Sequence, residues 1–136
     1  MSRDILVLDA CALIAAQRGE VGGERVIERL LAAETRTFMH AINVCEVHYD
    51  SLRRDPAGSL GTLLDDLERL GIEVEFSLEP GLLERAASLK AYWRRVSLAD
   101  CVALALAQSK GGRLLTTDHH EFDPLHEAGF PIDFAR

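Results

Sequence analysis

The sequence predicts an α/β protein with a mostly parallel central sheet of about five short strands flanked by helices. Two observations carry this. Short apolar runs alternate with segments of helical period along the 136 residues. Two of those runs are followed by acids, Asp9 and Asp118, at the carboxyl ends where parallel sheets carry ligand sites. A chain of this length builds one core rather than two, so a single domain over 1–136 is expected.

Ile5-Leu6-Val7-Leu8 is too short for a membrane span and reads as a strand buried on both faces. Asp9, just beyond it, has two readings: helix cap or chemistry. Ala10 to Gln17 is a short helix closed by Arg18-Gly19-Glu20-Val21-Gly22-Gly23, and Glu24 to Ala33 a second, with Val26, Ile27, Leu30 and Leu31 on its apolar side. Thr37-Phe38-Met39 is a short strand. Ala41 to Leu52 follows as a helix whose Ile42, Cys45, Tyr49 and Leu52 recur as an apolar face. Glu46 lies within or beside that face, where an acid needs a partner or a metal.

Asp55-Pro56-Ala57-Gly58 breaks the chain before a helix from Leu60 to Leu70 with Leu63, Leu64, Leu67 and Leu70 inward. Ile72-Glu73-Val74-Glu75-Phe76 alternates like a strand at the sheet margin with one wet face. Pro80 opens a helix through Leu82, Leu83, Ala86, Leu89 and Lys90. Ser97 to Ala107 is a helix apolar all round, hence buried on most sides, and Ser97 with Asp100 has the spacing of a capping box. Helix start and site acid are both open for Asp100. Arg113-Leu114-Leu115-Thr116 is a strand with Asp118 beyond its end, repeating Asp9. A short helix from Asp123 to Ala128 and a strand at Ile132-Asp133-Phe134 complete the chain.

Hydrophobic residues at 48% and charged residues at 27% exclude wholesale disorder. A net charge of −7 excludes coating nucleic acid by charge alone, so a polyanion must be gripped locally. Arg53-Arg54, and Lys90 with Arg94-Arg95 beside Tyr92-Trp93, are candidates, each also readable as a solvated face. Cys11, Cys45 and Cys101 are odd in number and set among apolar neighbours, which predicts reduced, packed thiols and a cytoplasmic protein. Asp4 and Asp9 spoil the only segment resembling a signal core, Ile5 to Ala16, and no stretch reaches membrane-span length.

The predicted topology brings Asp9, Glu46, Asp100 and Asp118 toward one sheet edge. Four converging carboxylates take up protons unless a cation is present, and hard oxygen ligands suit Mg2+ or Mn2+. Zinc spacing is absent. Cys45 and Cys101, each next to an acid on a helix, are expected to face the core.

The sequence resembles the PIN-domain family, and within it the VapC-type toxin ribonucleases. The resemblance rests on Val7-Leu8-Asp9-Ala10 with Cys11-Ala12-Leu13-Ile14, Ala41-Ile42-Asn43-Val44-Cys45-Glu46-Val47, Ser97-Leu98-Ala99-Asp100, and Leu115-Thr116-Thr117-Asp118 followed by Glu121-Phe122. Each piece is weak alone, and their order and spacing are specific. The resemblance implies an acidic metal-binding quartet of Asp9, Glu46, Asp100 and Asp118, a cognate antitoxin, frequent homodimers, and metal-assisted hydrolysis of RNA phosphodiesters. Asp118 would act directly or through water. Thr116 would position Asp118 or a water, Asn43 would do likewise for Glu46, and Glu121 would be an auxiliary acid. His40 stands where relatives often carry a small hydroxyl residue, and packing is expected for it; His119 and His120 are expected in a solvated loop. Two alternatives compete: a non-catalytic binding module of the same fold, and a phosphatase using an aspartyl nucleophile.

Overall fold

The computed structural model describes residues 4–136. Its first strand, β1 (Asp4–Leu8), sends Leu6 and Leu8 into one core and Val7 into another, all fully buried, as the period-two alternation of a doubly covered strand requires. Along the chain follow α1 (Ala10–Arg18), α2 (Gly23–Leu31), β2 (Thr35–His40), α3 (Ala41–Arg54), α4 (Leu60–Arg69) and β3 (Ile72–Glu75). Then come α5 (Pro80–Tyr92), α6 (Leu98–Ser109), β4 (Arg113–Thr116), α7 (His119–Glu127) and β5 (Ile132–Phe134). Every strand pairing is parallel and the order is β3-β2-β1-β4-β5.

The chain builds outward from β1 to β3 on one side and then crosses to add β4 on the other. The switch point therefore falls between β1 and β4, where open α/β sheets leave a crevice at their carboxyl edge. Leu6, Leu8, Met39 and Leu115 face α1 to α4, while Val7, Phe38, Leu114 and Ile132 face α5 to α7. α6 is buried almost throughout, from Asp100 to Ala107, as its all-round apolar sequence predicts. Gly112 lets β4 enter beside β1: a Cβ there would stand 2.5 Å from the Ile5 carbonyl oxygen.

Several expectations need correction. The inward face of α3 is Asn43, Val44 and Val47, while Ile42 and Tyr49 are 39% and 46% exposed and Cys45 is exposed too. Asn43 decides this rotation, because its Nδ2 donates to the Ala99 carbonyl at 3.1 Å and turns that side of α3 toward α6. A buried polar group with a fixed partner outweighs a few partly apolar contacts. Cys101 is buried as expected and Cys11 half-buried, so the packed-thiol expectation fails at Cys45 alone. Leu31, expected on the apolar side of its helix, is exposed. The last helix begins at His119 rather than Asp123, because Asp118 caps it with a bond from Glu121 N at 3.1 Å. His119 and His120 therefore lie in a helical first turn, and His119 is fastened to Asp123 and to the Arg136 carbonyl.

Candidate active site

Four elements deliver carboxylates to the carboxyl edge of the sheet. Asp9 follows β1, Asp118 follows β4, Asp100 sits in the first turn of α6, and Glu46 lies in the second turn of α3, which starts directly from β2. Asp9 is completely buried and caps α1, accepting from Ala12 N at 2.9 Å. Its other oxygen accepts from the Thr116 hydroxyl, and that same hydroxyl accepts from Asp118 N at 3.0 Å. Thr116 thus ties the ends of β1 and β4 together through one side chain.

The tightest grouping is Asp100, Asp118 and Glu121, each offering a carboxylate oxygen within 4.8 Å of the others. Glu121 was expected only as an auxiliary acid, and the structure brings it to the centre. The signal for this was legible in Asp118-His119-His120-Glu121: an acid three residues after an N-cap points back to the helix start. Ser97 and Asp100 form half of the expected capping box. The Ser97 hydroxyl accepts from Asp100 N at 3.1 Å, and the Asp100 carboxylate is turned to Glu121 instead.

The electrostatics follow from this crowding. Asp9 is pushed up to about 7, chiefly by burial and against the bonds from Thr116 and Ala12, with Asp118 and Glu46 adding repulsion. Asp100 is pushed up to about 10 by burial, by its contact with Glu121, and by the charges of Asp9, Glu121 and Glu46. Burial and Glu121 also raise Glu46. Glu46 Oε1 and Glu121 Oε2 are buried with no hydrogen-bond partner. Buried acceptors without donors, in a group of acids that cannot all ionise, describe a place where a hard cation fits. Burial and the same carboxylates keep the Cys11 thiol protonated far above neutrality, so the donor set is oxygen.

The remaining residues divide. Asn43 bonds Ala99 rather than Glu46, joining α3 to the start of α6. His40 is buried and caps α3: Nδ1 accepts from Ile42 N at 3.0 Å, so Nε2 donates to the Ser77 carbonyl at 2.9 Å. It performs the capping task of a small hydroxyl residue and packs beneath the site. Lys90 donates to the carbonyls of Arg94 and Val96, both at 2.8 Å, and so shapes the loop between α5 and α6. Arg94 and Arg95 are exposed on that loop. Arg53 and Arg54 end α3, about 10 Å beyond Glu46 along the helix axis, with Arg53 over the Tyr49 ring.

The profile of the PIN domain matches residues 6–125. No curated protein is a significant match. Solved structures share the architecture at low identity. A toxin-antitoxin complex from Klebsiella pneumoniae aligns at 18% identity and TM-score 0.73, over 96% of this chain and 98% of that one. The VapBC2 complex from Rickettsia felis, bound to a DNA fragment from its promoter, aligns at 17% and 0.68 over 96% and 98%. The sarcin-ricin loop cleaving toxin VapC20 from Mycobacterium tuberculosis aligns at 19% and 0.65, over 92% of this chain and 95% of that one.

Proposed function

The chain belongs to the PIN domain family, and on that premise we infer that it is a Mg2+- or Mn2+-dependent endoribonuclease, the toxin of a type II toxin-antitoxin module, formed by one domain over 1–136. One observation carries the reading: Asp100, Asp118 and Glu121 converge within 4.8 Å, ringed by Asp9 and Glu46. Asp9, Glu46, Asp100 and Asp118 would hold the ion, and Glu121 would join them. When bound, a divalent ion supplies the charge that polarises a scissile phosphodiester and lowers the pKa of an attacking water. Thr116 holds Asp9 and Asp118 in one orientation, and Asn43 keeps α3, with Glu46, against α6. Each Asp9 oxygen already accepts one hydrogen bond, which lowers its nucleophilicity and argues against the phosphatase alternative, while each keeps a lone pair for an ion. Arg53, Arg54, Arg94 and Arg95 are available to RNA phosphates.

An antitoxin segment that places Arg or Lys among the carboxylates would neutralise the centre by the same charge logic that favours the ion. The likeness to toxin-antitoxin structures supports such a partner. The exposed α3 stripe of Ile42, Cys45 and Tyr49 supports a homodimer or antitoxin contact. No helix among the described residues is long and apolar enough to cross a membrane. The test is cleavage of total RNA by purified chain with chelator, Mg2+ or Mn2+. Metal-restored, site-specific cleavage is expected, and cleavage unchanged by chelation would overturn the reading.

A further inference from the structure

Beside the acidic centre lies a second cavity with a different chemistry. It occupies about 280 Å³ between the loop after α5 and the start of α7, close to the lower end of small-molecule sites. Trp93, Tyr92 and Pro124 line it with flat apolar surface, Arg94 and Arg95 with positive charge, and Glu121 belongs both to this cavity and to the carboxylate cluster. Whatever occupies it therefore lies directly against the reacting centre.

The lining is set in place before any ligand arrives. Lys90 spends its ammonium on two loop carbonyls, fixing the backbone that carries the arginines. Trp93 is half-buried and braced edge-on by Phe130, with ring centroids 6.0 Å apart, and by Tyr92 at 5.1 Å. Tyr92 itself is 78% exposed, the most exposed of the large hydrophobic residues in the described chain. Neither Arg94 nor Arg95 makes an ion pair among the described residues. In a chain of net charge −7, two unpaired guanidiniums flanking exposed aromatic rings depart from the surrounding field. Stacking surface next to cations is the chemistry that takes bases with their phosphates.

Resting on the nuclease reading above, we propose that this cavity is a nucleobase subsite, holding one unstacked base beside the scissile phosphate. The base lies against Tyr92 and Trp93, and Arg94 and Arg95 meet the adjoining phosphates. The substrate is then a single-stranded or looped RNA, because a base inside a duplex cannot reach a ring at the wall of a small cavity.

Trp93 is the sole tryptophan, so its fluorescence reports this cavity and the neighbouring one it lines with Gln108 and Phe130. The Arg94 and Arg95 side, absent from the second, is told apart by loss of the signal in an Arg94→Ala, Arg95→Ala variant. The full chain in Ca2+ is titrated with hexauridylate, hexaadenylate and a hexamer of abasic ribose phosphates. Saturable quenching by the base-bearing hexamers and markedly weaker binding of the abasic one are expected. Tyr92→Ala should weaken binding about 5- to 100-fold and Tyr92→Phe should restore it, with the melting-point gain from Mg2+ unchanged in both. Equal binding of abasic and base-bearing hexamers, no quenching, or an unaffected Tyr92→Ala overturns the proposal, and quenching by a basic peptide alone assigns the cavity to a protein segment and overturns it too. Cleavage is measured separately in Mg2+. Absent cleavage with base-dependent quenching sinks the nuclease reading and keeps the subsite; cleavage indifferent to Tyr92→Ala and to abasic substitution sinks the subsite and keeps the nuclease.

Discussion

Replacing Asp100 by Asn tests the acidic centre through stability alone. Asp100 is 7% exposed and its carboxyl is raised to about 10, against an unfolded value near 3.8. An acid raised on folding imposes no cost below its unfolded pKa, and the cost grows as pH climbs from there toward the folded value. At pH 7 the gap of about three units is worth up to roughly 4 kcal/mol at about 1.4 kcal/mol per unit, shared with the neighbouring acids that cause it. Asn carries no charge to bury and can donate to Glu121. It also retains the backbone N–H that Ser97 caps, and because burial and Glu121 keep native Asp100 protonated at neutral pH, the helix start loses no charge–dipole interaction. The metal-free variant should therefore melt several degrees above wild type at pH 7–8, with the advantage fading toward pH 4. Added Mg2+ should stabilise wild type by about 2.7 kcal/mol at a hundredfold excess over its Kd, and the variant far less. Four melting curves, each protein with chelator and with Mg2+, decide it. A variant less stable in chelator that still gains the full metal increment would make Asp100 structural and refute the reasoning.

Three further outcomes are expected. Thr116→Val strips a donor from Asp9 and an acceptor from Asp118 N, so it should cost roughly 1–3 kcal/mol and weaken Mg2+ binding by calorimetry; an unchanged affinity would remove Thr116 from the support of the site. His40→Ala loses the α3 cap and the Ser77 bond, costing roughly 2–3 kcal/mol in melting experiments while leaving the Mg2+ increment intact; loss of that increment would place His40 at the ion. Removing both Arg94 and Arg95 should flatten the salt dependence of single-stranded RNA binding by roughly 1.4 in log–log slope, and an identical slope would take them off the phosphate path.

The sheet was legible because its strands are apolar on both faces or end in turn residues, and Ile5 to Leu8 could satisfy only a central position. Asp9 and Asp118 were legible for the same reason, since a strand's end fixes where the next residue emerges. The face of α3 was not. Its spacing allowed the stripe through Ile42 and Tyr49 or the one through Asn43 and Val47, and a single bond across 56 residues, Asn43 to Ala99, chose between them. Spacing along one helix carries no trace of a partner on another. The centrality of Glu121 was written in the capping pattern after Asp118, yet the start of α7 was expected four residues later, at Asp123, which hid it. Lys90 looked like one more surface cation, and only the course of the loop after α5 reveals that its charge is already committed.

The bond from Thr116 to Asp9 spans 107 residues, and it closes late in synthesis. β1 leaves the ribosome first but waits for β4 as its second neighbour, and Asp118 and Glu121 emerge after that. Until then Asp9 lacks the Thr116 hydroxyl and the nearby Asp118 charge that act on it in the complete fold. A chain stalled or truncated before residue 113 therefore holds three of the acids but lacks Thr116, Asp118 and Glu121, so the closest grouping cannot form. Parallel sheets of this kind are slow to close because their pairings are distant in sequence. The close grouping of Asp100, Asp118 and Glu121 is thus confined to a chain that has completed α7.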